Sequence, residues 1–320
     1  MKYAYYPGCS LTCSAVEYDI STRAVLEALG VEVHEIPDWT CCGASSVENV
    51  DELLSLALPA RNLALAERDL PGMEVLAPCS ACYLNLRHAR ERARSERSVA
   101  ARLGEALDAE GLTLAAAAPV RHLLDVLTND IGPERIQEAC VRDLSGLAIA
   151  PYYGCQALRP YPDFDDPVRP RSMDGLIRAL GAEPVEWDMG ARCCGASLMV
   201  THKEAALDAV SAILGAVQGA HAVVTVCPMC QMNLEAYQGE ALARAGGGER
   251  VSVLYLPQLL GLGLGLDQKE VGMHRNMTVT GRLRAKLRRI DMPTSRLSVR
   301  TADQGEGDRE TTQPPPGTGG

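Results

Sequence analysis

The sequence predicts an α/β protein made by duplication: two homologous domains, each a parallel sheet with helices, joined by a helical connection and followed by a disordered C-terminal tail. Three observations carry this. Strand-like and helix-like segments alternate along the chain. One ordered set of motifs occurs twice, about 150 residues apart, a period too long for a solenoid of short repeats. Each copy also runs its apolar strands into cysteines, at the strand ends where open α/β sheets place their ligands.

The first copy reads YYPGC (5–9), AVLEALGVEVHEI (24–36), CCGAS (41–45) and VLAPCSACYLNL (75–86). The second reads YYGC (152–155), GLIRALGAEPVEW (175–187), CCGAS (193–197) and VVTVCPMCQMNL (223–234). In each, a short apolar strand ends at a cysteine. An amphipathic helix follows and stops at Gly30 or Gly181, as at a helix C-cap. VEVHEI alternates as a strand does. The segments 47–69 and 201–217 have helical patterns, with Pro59 expected to kink or split the first. MEVLAPC and AVVTVC are strands running into Cys79 and Cys227, with helices beyond them. Residues 88–146 form a mostly helical connection, with candidate helices in APVRHLLDVLTND and GPERIQEACVRDL. The expected boundaries are 1–146 for the first domain with its connection, 147–275 for the second, each with its own core, and 276–320 for a polar, Pro/Gly-rich disordered tail.

Composition narrows the function. A net charge of −10 argues against a nucleic-acid phosphate binder. LPQLLGLGLGL, the most apolar stretch near the end, is short of the roughly 20 apolar residues of a membrane span. The N-terminus lacks the apolar run of a signal peptide, so a cytoplasmic location is expected. In that setting twelve cysteines point to metal or redox chemistry rather than a disulfide framework.

Ten of the twelve fall into two sets: Cys9, Cys41, Cys42, Cys79 and Cys82, and Cys155, Cys193, Cys194, Cys227 and Cys230. A structural zinc site takes four ligands and an ordinary cubane cluster four cysteines. Five per domain exceeds both and suits a more open iron–sulfur cluster, in which one thiolate bridges irons or one iron carries two. A vicinal cysteine pair makes a poor disulfide, but it can present two sulfurs to neighbouring irons, and the glycine after it permits a tight turn. Cys13 and Cys140 have no counterpart in the other half and are read as bystanders. A thiolate-rich site needs donors. Helix N-termini are expected just after Cys9, Cys42 and Cys79 and their second-half equivalents, and Arg192 beside Cys193 is a candidate source of charge.

The doubled pattern C-x(31–38)-CCG-x(32–36)-C-x2-C, with YYPGCSLTCSAVEYD, IPDWTCCGAS and GMHRN, resembles the B subunit of heterodisulfide reductase, a pair of cysteine-rich CCG domains of Rossmann-like form, over roughly residues 1–275. That resemblance implies that each motif binds a non-cubane [4Fe-4S] cluster through five cysteines, with Cys41, Cys42, Cys193 and Cys194 at the catalytic centre. It implies that a small disulfide is cleaved to two thiols between the two clusters. Electrons come from partners: a ferredoxin-like C subunit with cubane clusters and a flavin-containing A subunit. This chain has no C-x2-C-x2-C-x3-C run and no GxGxxG, so neither cubane wiring nor flavin is expected in it. A second reading is a CCG electron-transfer or docking subunit of a quinone-linked succinate/fumarate oxidoreductase, whose mark would be a basic amphipathic helix such as residues 280–292. A third is a zinc-stabilised scaffold without redox function.

Overall fold

The computed structural model describes residues 1–44, 46–114, 118–217 and 219–290. In the first half, β1 (Lys2–Tyr5), α1 (Gly8–Thr12), α2 (Val16–Ala28), β2 (Glu32–Glu35), α3 (Glu52–Asp69), β3 (Glu74–Ala77), α4 (Ser80–Ser95), α5 (Arg97–Asp108), β4 (Val120–His122), α6 (Leu123–Asp125) and α7 (Gly132–Ala139) follow in order. In the second come β5 (Ala148–Tyr152), α8 (Ser172–Ala179), β6 (Glu183–Pro184), α9 (Lys203–Ala216), β7 (Ala222–Thr225), α10 (Pro228–Ala236), α11 (Gln238–Arg244), β8 (Ser252–Tyr255), α12 (Leu256–Gly263) and α13 (Gly281–Leu287). The two sheets have the orders β2-β1-β3-β4 and β6-β5-β7-β8, and every pairing is parallel. The duplicated parallel α/β architecture is as expected.

The strand order explains the burial. β7, between β5 and β8, is buried along its whole length, as parallel strands covered on both faces are, whereas the edge strand β2 (EVHE) is mostly exposed. Each order reverses direction between the first strand and its inner neighbour, so a crevice opens at the carboxyl ends of β1 and β3, and of β5 and β7. Cys9 and Cys79 follow the first pair of strands, and Cys155 and Cys227 the second.

Several expectations need correction. The connection 88–146 contains a strand, β4, paired with β3. It is three residues long and runs directly into α6, so its helical neighbours mask it. Pro59 does not split the first long helix: α3 runs through it, with the proline buried. The tail expected from residue 276 begins with ordered chain. Thr280 caps α13, accepting from the Leu283 N–H at 3.3 Å, and Leu283 is buried. The apolar residues Leu283, Leu287 and Ile290 lie at helical spacing in a basic sequence, and all three pack on the core. Residues 291–320 of the expected tail lie outside the described residues.

The halves do not keep separate cores. One continuous core takes in the first-half strands together with Ile149, Val224, Leu254 and Leu256 of the second, while a smaller core beside it belongs to the second half alone. α12 packs on α2 across the boundary. Aromatic rings close it from both sides: Tyr18 stacks on Tyr255 with centroids 4.2 Å apart, and Phe164 stacks on His122 at 5.9 Å. His122 ends β4 and Tyr255 ends β8, so each half offers the end of its fourth strand to a ring from the other.

Candidate metal centre

Cys79 and Cys227 are the N-cap residues of α4 and α10, in extended conformation, and Cys82 and Cys230 lie in the first turns of those helices. These four are therefore close to free helix N–H groups, as expected. The same expectation fails at the vicinal pairs. Cys41–Cys42 and Cys193–Cys194 sit in irregular loops. The chain beyond the first makes a 3-10 turn at Val47–Asn49, and α3 begins only at Glu52, capped by the Asp51 carboxylate. Cys9 lies inside α1, a helix of five residues, and Cys155 in a turn.

The loops bring the sulfurs of each set together. Cys41 Sγ is 3.4 Å from Cys9 Sγ, and Cys42 Sγ is 3.5 Å from Cys82 Sγ. Cys194 Sγ is likewise 3.5 Å from Cys230 Sγ. None of the twelve cysteines is in a disulfide. Cys42, Cys79, Cys82, Cys194, Cys227 and Cys230 are buried, Cys155 is half-buried, and Cys9, Cys41 and Cys193 are exposed. Each set thus has a closed inner side and an open outer one. The glycines before Cys9 and Cys155 make this approach possible. Gly8 and Gly154 have φ of +69° and +71°, and a Cβ on either would lie 2.8 Å from the sulfur of Cys82 or Cys230.

Hydrogen bonding between sulfurs polarises each set. Cys42 is lowered to about 4 by its contacts with Cys41 and then Cys82, and Cys193 to about 6, chiefly by Cys155. Cys41 and Cys155, on the other side of these contacts, are pushed up. The Gly43 and Gly195 N–H groups point at Cys41 and Cys193 Sγ, at 3.5 and 3.4 Å. Among the described residues no group of three or more His, Cys, Asp or Glu side chains is arranged around one metal ion. The sulfurs pair off instead of converging on a point. Five soft thiol donors spread over a crevice fit a multi-iron cluster, whose irons bind thiolates one by one, better than a single hard cation.

Sequence reading missed the groups that hold these loops. Tyr6 donates to the Thr40 carbonyl at 2.6 Å and Tyr152 to the Arg192 carbonyl at 2.7 Å, each at the residue before a vicinal pair. Burial, then the neighbouring cysteines, raise both phenols, so they remain protonated donors. Asn85 and Asn233 donate to the Cys42 and Cys194 carbonyls, both at 3.0 Å. The signal for all four was present: each stands at the same place in both copies, in YYPGC/YYGC and in CYLNL/CQMNL. Between the halves, the buried Tyr18 hydroxyl lies 2.9 Å from the Pro78 carbonyl and 3.1 Å from that of Val226, the residues before Cys79 and Cys227. Ser80 also donates to Val226, at 3.1 Å, and lies 3.1 Å from His122 Nε2. The two cysteine crevices are therefore laced to each other through the backbone that carries them.

The remaining candidates fall outside the sets. Cys13 is exposed at the end of α1, and Cys140, half-buried at the end of α7, contacts the Arg142 carbonyl through its sulfur at 3.3 Å. Arg192 is exposed beside Cys193, on the wall of a cavity of about 600 Å³ with Arg159 and Trp187.

The fold and the doubled motif define a class: a duplicated α/β module that carries a set of five cysteines in each half. The family model for the cysteine-rich domain CCG matches residues 3–87 and 149–235, and the chain belongs to that family. It is 38% identical over 280 residues to the 8-methylmenaquinol:fumarate reductase membrane anchor subunit of Wolinella succinogenes, covering 86% of this chain and 96% of that one. It is 30% identical over 281 residues to a heterodisulfide reductase B-subunit-like protein of Archaeoglobus profundus, covering 85% and 93%. It is 28% identical over 282 residues to the B subunit of the ferredoxin/F(420)H(2)-dependent CoB-CoM heterodisulfide reductase of Methanosarcina acetivorans, covering 86% and 93%. In fold it resembles a solved hypothetical protein from Helicobacter pylori, with a TM-score of 0.69 at 16% identity over 87% of this chain, which spans about half (52%) of that longer chain. The curated relatives are subunits of oxidoreductases, and the heterodisulfide reductase B subunit is among them. The family and these names point to iron–sulfur chemistry, and to work within a multi-subunit complex. No helix among the described residues is long and apolar enough to cross a membrane.

Proposed function

We propose that this chain is the two-cluster subunit of a heterodisulfide reductase-like complex, reducing a small disulfide to two thiols with electrons delivered by partner subunits. The observation that carries this reading is the doubled crevice: two five-cysteine sets, each with sulfurs drawn to within 3.5 Å of one another, on loops bridged by one Tyr18 hydroxyl. In this reading Cys9, Cys41, Cys42, Cys79 and Cys82 hold one non-cubane [4Fe-4S] cluster, and Cys155, Cys193, Cys194, Cys227 and Cys230 the other. Bound there, the clusters supply one electron at a time to a cleavage that consumes two electrons and two protons. The residues of the chain do the rest. The inner cysteines and the glycine N–H groups hold each site, the tyrosine and asparagine clamps fix the vicinal pairs, and the open side at Cys9, Cys41 and Cys193 admits the substrate. A ferredoxin-like C subunit with cubane clusters and a flavin-containing A subunit would bring the electrons.

A second reading, a CCG electron-transfer or docking subunit of a quinol-linked fumarate reductase, is favoured by the 38% identity to the Wolinella protein. Against it stands the segment expected to mark such a component: in α13 and just after it the apolar Leu283, Leu287 and Ile290 turn into the core, and the exposed side chains are the basic Arg282, Arg284, Arg288 and Arg289. The test is anaerobic isolation with the native partners, followed by metal analysis and assays. About eight irons per chain and turnover of a low-molecular-weight disulfide are expected. Fumarate-dependent quinol oxidation without disulfide turnover would install the second reading, and stoichiometric zinc with little iron would overturn both.

A further inference from the structure

The loops leading into the two vicinal pairs are held alike by tyrosine and asparagine, but a further clamp on each differs in charge. In the first half it is Asn62, fully buried, whose amide oxygen accepts from the Thr40 N–H at 2.8 Å and whose amide nitrogen donates to the Thr40 carbonyl at 2.9 Å. In the second half it is Arg159, whose guanidinium donates to the Ala191 carbonyl at 2.7 Å and to that of Pro167 at 3.4 Å. The first clamp is neutral and the second carries a full positive charge.

The neighbouring cations sharpen the contrast. Arg61, next to Asn62, is paired with Asp38 and Glu110, each at 2.7 Å, so its charge is offset where it lies. Arg159 and Arg192 form no ion pair among the described residues. Asp174, Glu186 and Asp188 share their cavity wall, but none is within ion-pair distance of either guanidinium. The Arg159 guanidinium sits on the Ala191 carbonyl, two residues before Cys193, whereas the corresponding clamp at Thr40, the residue before Cys41, is the neutral Asn62 amide. Several other contributions match between halves: the glycine N–H to the vicinal sulfur, the buried tyrosine, the asparagine and the three buried cysteines. One difference runs the other way. Cys9 is exposed and Cys155 half-buried, so water reaches the first set more freely. Hydration at Cys9 opposes the effect of the guanidinium, and the order of the two potentials decides between them.

Resting on the reading that each set holds an iron–sulfur cluster, we propose that the second half carries the more easily reduced of the two and that Arg159 is the residue that sets the difference. Reduction adds one negative charge to a site already rich in thiolate. An uncompensated guanidinium beside it stabilises the reduced state more than the oxidised one and so raises the potential. An electron delivered to either half would then come to rest in the second, beside the arginine-lined cavity. Because Arg159 is largely exposed, mobile ions screen it, and the difference should shrink as salt rises.

The test is an anaerobic redox titration of the iron-loaded full chain, followed by electron paramagnetic resonance. Cys194→Ser identifies which signal belongs to the second half. Two midpoint potentials are expected in the wild type, the second half's higher. Arg159→Gln should lower that potential alone and narrow the gap, Arg159→Lys should keep most of it, and raising ionic strength should narrow the wild-type gap without any substitution. Two clusters of equal potential, a higher potential in the first half, a gap indifferent to salt, or an Arg159→Gln change that moves neither or both overturn this proposal and leave the two-cluster reading standing. Iron sufficient for only one cluster overturns that reading and this proposal together.

Discussion

The cysteine loops and the fourth-strand ends of the two halves have fared differently since the duplication. Tyr6 and Tyr152, Asn85 and Asn233, and Gly8 and Gly154 occupy matching places and make matching contacts, in two cases at distances equal within 0.1 Å. At the fourth strands the positions match but the chemistry does not. His122 ends β4, accepts from the Leu124 N–H at 3.1 Å and stacks on Phe164, while Tyr255 ends β8 and stacks on Tyr18. The physical reason lies in what each region must satisfy. The cysteine loops must hold several sulfurs at set positions, which few side chains allow. The strand ends only need to fill a buried interface with flat rings, which several side chains can do.

This comparison can be broken most sharply at the glycines. Gly8→Ala and Gly154→Ala each place a Cβ 2.8 Å from a cysteine sulfur at positive φ, so each should strip the iron of its own set and cost about 1–3 kcal/mol through strain. Iron analysis paired with denaturant unfolding reads both effects. Full iron retention in either variant would show that the two crevices are not built alike.

The fourth-strand contrast predicts a pH effect on one side only. His122 is buried and its pKa lowered to about 4, chiefly by desolvation. Below its ordinary value of 6.5 the unfolded chain takes up a proton that the folded chain does not, down to about pH 4. Stability should therefore fall as pH drops through that window, with about 2 kcal/mol lost from this group by pH 5. His122→Phe should remove that part of the slope between pH 7 and pH 5, and Tyr255→Phe should leave it. Urea unfolding at the two pH values decides, and equal slopes for wild type and His122→Phe would refute the assignment.

Smaller effects refine the picture. Tyr18→Phe keeps the ring stack but removes the hydroxyl between Pro78 and Val226; the Val226 carbonyl keeps Ser80 while that of Pro78 loses the Tyr18 donor, and the change should cost about 1–2 kcal/mol. Asn85→Ala and Asn233→Ala should each cost about 1 kcal/mol and loosen only their own vicinal pair, seen as faster iron loss to a chelator from one set. A loss of equal rate from both sets would mean that the halves respond as one unit. Cys140→Ala should leave iron content unchanged and cost at most about 1 kcal/mol in the same unfolding assay, because its half-buried sulfur lies outside both sets.

By itself the sequence determined the duplication and the α/β class, and it marked two sets of five cysteines, because order, periodicity and residue identity are local properties that survive in one dimension. It also marked the turns at Gly30 and Gly181, which adopt the expected positive φ. Tertiary structure decided what depends on neighbours distant in the chain. β4 is a strand only because β3 lies beside it to pair with, and a three-residue run has no periodicity of its own. The core shared by both halves follows from α12 meeting α2, some 230 residues away, a contact to which no local pattern points. The charge that distinguishes the two vicinal pairs came the same way. Arg159 reads as one more surface arginine until the fold sets its guanidinium on the Ala191 carbonyl, two residues before Cys193.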